Sequence, residues 1–488
     1  MGSRRACLPL SLLLCGWSML GCEGPSKGGS AADAAVNAPT PDAPADAAPP
    51  DAALPPVLST SVLDCGVAGT IGGLGDAISA QPLIRHDLDL SVFPEALCND
   101  GTGAILYVRR AATVAAENDW VIQLQGGGLC GTAQECANRW CMVDTLFSMS
   151  GMSATPAPAL GIDGRGITSR LGGNPLGDAN QVLVKYCSSD LWVGTQRDVP
   201  IAALHPVSGD PVAFRMHFLG ARILDAAIAT LRQDGVAAID YQGTPMPDLD
   251  QATYVLVAGG SAGGAGVAHH VDALTTTLRA TNAEVTVNGL ADSILAPSLD
   301  LVDPSSSTLC ATQPTACTAD GLRQLQHEAT NALWASQLES SCVAMHPTEP
   351  WRCFEVNHLL HHHVTSPLFV RMGLTDSLIS DPFVTGGYQT LGGDPFNILR
   401  FAVALSADLG EFANLMANSE EGLATLTAPG VYGPTCSKHE TLGANDAIYS
   451  TFIDDGGTPT DMFTVFENWR AMTGTTQLVS AAGASTCP

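Results

Sequence analysis

Tyr254-Val255-Leu256-Val257-Ala258-Gly259-Gly260-Ser261-Ala262-Gly263-Gly264 is the stretch on which the architecture turns. An apolar run of strand type ends at a serine set among glycines, and Ala265 to Leu278 beyond it has the pattern of a helix. A serine at such a strand-to-helix junction is a nucleophile elbow. The turn is too tight for bulky Cβ substituents, hence glycine two before and two after the serine. It lifts the hydroxyl clear of the sheet. It also aims the N–H of Ala262 and the positive end of the helix at any oxyanion formed there. In a chain with 50 glycines the bare motif carries little weight. Its position between a buried-type strand and a helix carries the reading.

Working outward, strands and helices alternate as a mostly parallel sheet requires. Strands are expected at Ile105 to Arg109, Trp120 to Leu124, Gln181 to Tyr186, Glu284 to Leu290 and Pro367 to Met372. Helices are expected from Phe214 to Arg232, Leu322 to Leu338, within 396–420, and from Asp461 to Ala471. No internal repeat is found. The order predicts an α/β-hydrolase fold with the serine in mid-chain and its partners after it.

A serine hydroxyl needs a base to take its proton and an acid to orient that base. The chain order in this fold is Ser, then Asp or Glu, then His. Two aspartates suit the second slot, Asp292 in Gly289-Leu290-Ala291-Asp292-Ser293 and Asp376 in Gly373-Leu374-Thr375-Asp376. The acid sits at the end of a strand beyond the one next to the elbow, which favours Asp376. Either could instead cap a turn or helix. His439 is the only histidine after Asp376, and this makes it the base rather than a surface histidine near a helix start. Gln125-Gly126-Gly127-Gly128 follows an early strand, where esterases carry the glycine loop of the oxyanion hole. A plain turn would need one or two glycines, not three.

These motifs lie within a longer resemblance. Cys98-Asn99-Asp100-Gly101-Thr102, Leu124-Gln125-Gly126-Gly127-Gly128-Leu129-Cys130, Lys185-Tyr186-Cys187-Ser188-Ser189 and Phe218-Leu219-Gly220-Ala221-Arg222-Ile223 resemble blocks of the pectin acetylesterase and Notum carboxylesterase family. So do Gly260-Ser261-Ala262-Gly263-Gly264, Asp376-Ser377 and Cys436-Ser437-Lys438-His439. The resemblance implies a secreted α/β hydrolase with Ser261 as nucleophile, Asp376 as acid and His439 as base. It implies oxyanion donors at Gly127, Gly128 and Ala262, and no cofactor. It also favours Asp376 over Asp292. The chain departs from the pattern at Gln125, where the family has glutamate, and at Leu129, where it has an aromatic residue. The stretch 300–360 is hard to match.

The first 22 residues read as an export signal. Arg4 and Arg5 precede an apolar segment from Cys7 to Leu20 that is short for a bilayer span. Met19-Leu20-Gly21-Cys22 resembles a bacterial lipobox, with Cys22 as the lipid-bearing residue. Residues 23–60 are rich in Ala, Pro and Asp and have too few large apolar side chains to offset the entropy of ordering, so they read as a tether. Residues 61–488 are the α/β-hydrolase domain. Its twelve cysteines, an even number in an exported chain, imply disulfides of unreadable connectivity. Cys136 and Cys141 lack a second pair that would make a zinc site.

The net charge of −27, with only three lysines, argues against nucleic acid and polyanionic partners. De-esterified pectin is itself a polyanion, so plant-like pectin specificity is disfavoured too. His358, His361, His362 and His363 lack supporting cysteines or carboxylates other than Glu355, so no metal is assigned to them. His269 and His270 read as packing or surface residues on the helix after Ser261.

The expected function is that of an envelope lipoprotein or secreted carboxylesterase. It would cleave acyl, most simply acetyl, esters on a carbohydrate, and meet the membrane only through its N-terminal lipid. The alternatives are a Notum- or lipase-like esterase for longer acyl chains, or an envelope binding protein that retains the fold without turnover.

Overall fold

The computed structural model describes residues 81–488 apart from 142–150, 156, 298, 307–308, 381–388, 395, 415–427, 481–484 and 488, together with Leu63, Cys65, Ala77 and Ser79. The expected signal peptide, its Cys22 and the tether lie outside the described residues.

Nine strands form the central sheet: β1 (Ile84–Asp87), β2 (Ile105–Arg109), β3 (Asp119–Leu124), β4 (Asn180–Val184), β5 (Tyr254–Gly260), β6 (Thr286–Asp292), β7 (Leu368–Arg371), β8 (Gly430–Gly433) and β9 (Gln477–Val479). Their order in space is β1-β2-β4-β3-β5-β6-β7-β8-β9. The β1–β2 and β2–β4 pairs are antiparallel, and every other pair is parallel. This is the α/β-hydrolase arrangement expected from the sequence.

β5 is buried along its whole length, as a central parallel strand covered on both faces must be. Side chains alternate between the faces with period two. Val255 and Val257 enter the larger core, with Cys136 and Ala137 of the helix α1 (Ala133–Cys141) and Ala265, Val267 and Val271 of the helix α3 (Ala262–Thr281). Leu256 and Ala258 enter the smaller one, with Phe463, Phe466 and Trp469 of the last helix, Met462–Ala471.

Several expected bounds are corrected; the helix expected at Leu322 to Leu338 runs from Ala319 to Trp334 and stops where Ala335 turns left-handed at φ 46°. Residues 214–218 are not helical but belong to a strand, Pro211–Phe218, paired antiparallel with Gln196–Leu204. Val212, Phe214, Met216 and Phe218 recur in steps of two, and the helix α2 (Gly220–Leu231) starts only after them. The strand expected at Glu284 to Leu290 runs instead from Thr286 to Asp292, so Asp292 is its last residue. β1, β8 and β9 have three or four residues each, too few to show a periodicity.

Between β6 and β7 the chain makes a long excursion through α4 (Ala319–Trp334), α5 (Ser340–Met345) and α6 (Val356–His362). All twelve cysteines pair, as 65–141, 98–187, 130–136, 310–317, 342–353 and 436–487. Cys136 and Cys141 thus bond to different partners. No helix among the described residues is long and apolar enough to cross a membrane.

Candidate active site

The carboxyl ends of β3, β5, β6, β7 and β8 meet at one rim of the sheet, the end at which α/β folds place ligands. Ser261 stands there between β5 and α3 with φ 55° and ψ −127°, far from the conformations a non-glycine residue prefers. The turn is held by two backbone bonds: Ser261 N–H donates to Asp292 O at 2.8 Å, and Ala265 N–H donates to Ser261 O at 3.1 Å. Gly263 is dictated by close approach, because a Cβ there would lie 2.0 Å from Leu124 O. The serine is 1% exposed.

Asp376 follows β7 in a turn and is fully buried. His439 lies beyond β8, in a loop pinned by the Cys436–Cys487 disulfide. The two elements are joined by Ser377 N–H donating to Ser437 O at 3.0 Å and Leu374 N–H donating to Pro434 O at 2.8 Å. Across that junction His439 Nδ1 lies 2.7 Å from Asp376 Oδ2. Asp376 Oδ1 accepts the N–H of Leu378, leaving Oδ2 for the imidazole. Burial works against the imidazolium. The Asp376 charge and hydrogen bond, with Glu440 and Asp292, outweigh it and raise the His439 pKa above its ordinary value.

Asp292, the other candidate acid, is engaged elsewhere. Its Oδ1 lies 3.0 Å from Arg371 Nη1, with both side chains buried. Its Oδ2 accepts from Thr441 N–H, Thr441 Oγ1 and Leu442 N–H. Asp292 therefore clamps Thr441 and Leu442, two and three residues after His439, to the end of β6.

The glycine loop crosses directly over the elbow. A Cβ at Gly126 would lie 2.5 Å from Gly260 O and 3.1 Å from Ser261 Cβ. Gly127 and Gly128 have φ of 152° and 70°, a reason for glycine at each. Arg139 holds this loop from behind by donating to Gly127 O, and its Nε donates to Ser189 Oγ at 2.9 Å. Ser189 Oγ in turn donates to Asn99 Oδ1 at 2.6 Å. Gln125 ties the start of the loop to the end of β4, its Oε1 accepting the N–H of Tyr186 at 3.2 Å. Ala262 opens α3, so its N–H is one of the amides at the helix's positive end.

Sequence reasoning missed Glu440. Its side chain fills the space beside Gly260, where a Cβ would meet Glu440 Cγ at 2.3 Å, and its Oε2 would lie 2.9 Å from a Cβ on Gly126. A carboxyl group thus sits between the glycine loop and the elbow. Burial, and then the Asp292 charge, push its pKa up to about 7. The available signal was its place next to His439. His269 and His270 are both buried in α3, and His270 Nε2 lies 2.8 Å from Trp192 O. Burial, then His270, lowers the His269 pKa to about 3. Both residues serve packing.

Comparison with known proteins follows the same lines. Residues 86–477 match the family model described as pectinacetylesterase. The chain is similar to the palmitoleoyl-protein carboxylesterase Notum of Drosophila melanogaster, 30% identical over 282 residues, covering 57% of this chain and 36% of that protein. It is also similar to notum2 of Xenopus laevis, 30% identical over 371 residues, covering 73% and 63% respectively. The human Notum is 27% identical over 307 residues, covering 61% and 52%. The chain thus spans less than two thirds of the length of these relatives. A structure of the Wnt deacylase Notum from Drosophila shares the fold, with a TM-score of 0.58 at 24% identity over 83% of this chain and 97% of that one.

Proposed function

The chain belongs to the pectinacetylesterase family, and from that premise we propose that it is a serine carboxylesterase working through Ser261, His439 and Asp376. The observation that carries this reading is the 2.7 Å contact between His439 Nδ1 and Asp376 Oδ2, made by a loop packed beside the strained turn of Ser261. Ser261 Oγ attacks the ester carbonyl carbon while His439 Nε2 takes its proton. The N–H groups of Gly127, Gly128 and Ala262 receive the charge on the carbonyl oxygen. Collapse breaks the ester bond, and the alcohol leaves with the proton returned by His439. Water, deprotonated by the same imidazole, then releases the acid from Ser261.

The substrate proposed is a short acyl ester, acetyl above all, on a neutral carbohydrate. The family description supports an acetyl group, and the net charge of −27 disfavours a polyanionic polymer. A second reading, a longer acyl chain, is favoured by the relatives described as palmitoleoyl-protein carboxylesterases. Rates on p-nitrophenyl acetate and p-nitrophenyl palmitate separate the two. The acetyl reading expects kcat/KM at least tenfold higher on acetate, a difference of about 1.4 kcal/mol in transition-state binding. A preference for palmitate by the same margin overturns it. Six disulfides support an exported protein, and the lipobox supports a lipid at Cys22 with residues 23–60 as the tether.

The charges around His439 set the pH dependence. Hydrolysis needs the neutral imidazole, and the raised pKa places the acid limb of kcat/KM above pH 6.5. Glu440 contributes to that rise only while ionised, near and above its own pKa of about 7, so Glu440→Gln is expected to move the neutral edge of the limb to lower pH. Activity near neutral pH would then exceed that of the parent, while the more acidic end of the profile, where Glu440 is already neutral, would change little. The pH–rate profiles of the two proteins check this, and an unmoved limb would show that Glu440 does not act on His439.

A further inference from the structure

The excursion between β6 and β7 holds a cluster that ester hydrolysis does not use. His346 caps the carboxyl end of α5, His358 lies in α6, and His363 caps α6. His358 Nε2 lies 3.2 Å from His346 Nε2 and 3.2 Å from His363 Nε2. The three rings are mutually tilted, at 65°, 85° and 60°, with centroids 5.0 to 5.6 Å apart. They converge by their nitrogens rather than stacking by their faces. His363 is buried, while His346 and His358 are partly covered.

From this geometry we infer that His346, His358 and His363 form a binding site for a divalent metal ion of the zinc class. One imidazole nitrogen offers a single hydrogen or a single lone pair in the ring plane. His358 Nε2, equally distant from two other ring nitrogens, cannot serve both well by hydrogen bonding. A metal ion serves all three lone pairs at once. Zinc holds imidazole nitrogen at about 2.0–2.1 Å, and a tetrahedron of that size has edges of about 3.3–3.4 Å. The two 3.2 Å separations are close to that edge. Imidazole also suits zinc and its neighbours better than it suits magnesium or calcium.

The fourth candidate donor is Cys342 Sγ, which lies with the three nitrogens in a group no wider than 4.8 Å. It is bonded to Cys353. A disulfide sulfur is not the thiolate that zinc prefers, so water takes the fourth position. His361 and His362, which drew attention to this run in the sequence, are not part of the convergent set. The third ligand, His346, comes from α5, a separate helix that the Cys342–Cys353 bridge ties to the segment before α6.

The site is structural. α6 leads through residues 364–367 into the amino end of β7, whereas Ser261 and Asp376 stand at the carboxyl ends of strands. An ion here would fasten α5 to α6. It would not touch the ester. The inference therefore stands apart from the esterase reading.

The test uses the full exported chain, purified without a polyhistidine tag, stripped with EDTA, desalted, and titrated with Zn²⁺ and then Co²⁺. The expected result is one Zn²⁺ per chain with Kd below about 1 µM, and a melting temperature raised by about 3 °C at saturation. Co²⁺ should give the visible bands of a four-coordinate site. His358→Ala and the milder His346→Ala should each weaken uptake at least 100-fold, while His362→Ala should keep it. Esterase activity should be unchanged by EDTA. Absence of stoichiometric uptake, or uptake undisturbed by the two ligand substitutions, overturns the inference. Should His358→Ala fail to fold, His346→Ala alone decides.

Discussion

Ser261→Ala is expected to lower kcat for ester hydrolysis by on the order of 10⁶, the loss seen when a triad serine is removed. The fold should be unaffected. Ser261 Oγ is buried with no hydrogen-bond partner among the described residues, so no structural bond is lost with it. The turn is held by main-chain groups that alanine retains, Ser261 N–H to Asp292 O and Ser261 O to Ala265 N–H. Alanine also carries the same Cβ at φ 55°, so the backbone strain neither grows nor relaxes. Hydrolysis of p-nitrophenyl acetate, read beside the melting temperature, measures both. A fluorophosphonate probe should label the parent chain and leave the variant unlabelled. An alanine variant within a few-fold of the parent rate would mean that Ser261 is not the nucleophile, and an unlabelled parent would favour a binding protein on this fold.

The elbow was legible because its constraint is local. Gly263 must lack a Cβ to pass Leu124 O, and that requirement is written in the sequence as glycine after a buried strand. His439 stands out in the sequence by chain order and as the only histidine after Asp376. The roles of the two aspartates were harder to separate, because each lies at or shortly after a strand run and each precedes a serine. Arg371, which engages Asp292, is a neighbour only in space, 79 residues away in sequence. Glu440 and His346 were missed for the same reason. Glu440 gains its setting from Gly126 and Gly260, and His346 from the disulfide that ties α5 to the segment before α6. The strand at Pro211–Phe218 was a different error. Its apolar positions recur in steps of two, but they run without a break into a true helix at Gly220.

Asp376→Asn should reduce kcat by about 10⁴ while leaving the protein folded, because an amide cannot hold the imidazole in the tautomer that takes the serine proton. The substituted side chain keeps an oxygen for the Leu378 N–H, so the turn survives. Asp292→Asn separates the two aspartates by failing differently. Burial alone would push the Asp292 carboxyl up. The Arg371 charge and the hydrogen bonds from Thr441, Arg371 and Ser293 outweigh it and hold its pKa below the ordinary 3.8. The group is therefore ionised at neutral pH, and its share of stability is lost only as pH falls through that depressed value. Replacing it leaves Arg371 buried without its counter-charge, a loss of about 3–5 kcal/mol. It also weakens the clamp on Thr441 and Leu442, beside His439. Denaturant midpoints and kcat measured on both variants form the check. Asp376→Asn should be stable and nearly inactive, whereas Asp292→Asn should be unstable and lose far less of its rate per folded molecule. The reverse pattern would move the proposed acid from the turn after β7 to the end of β6.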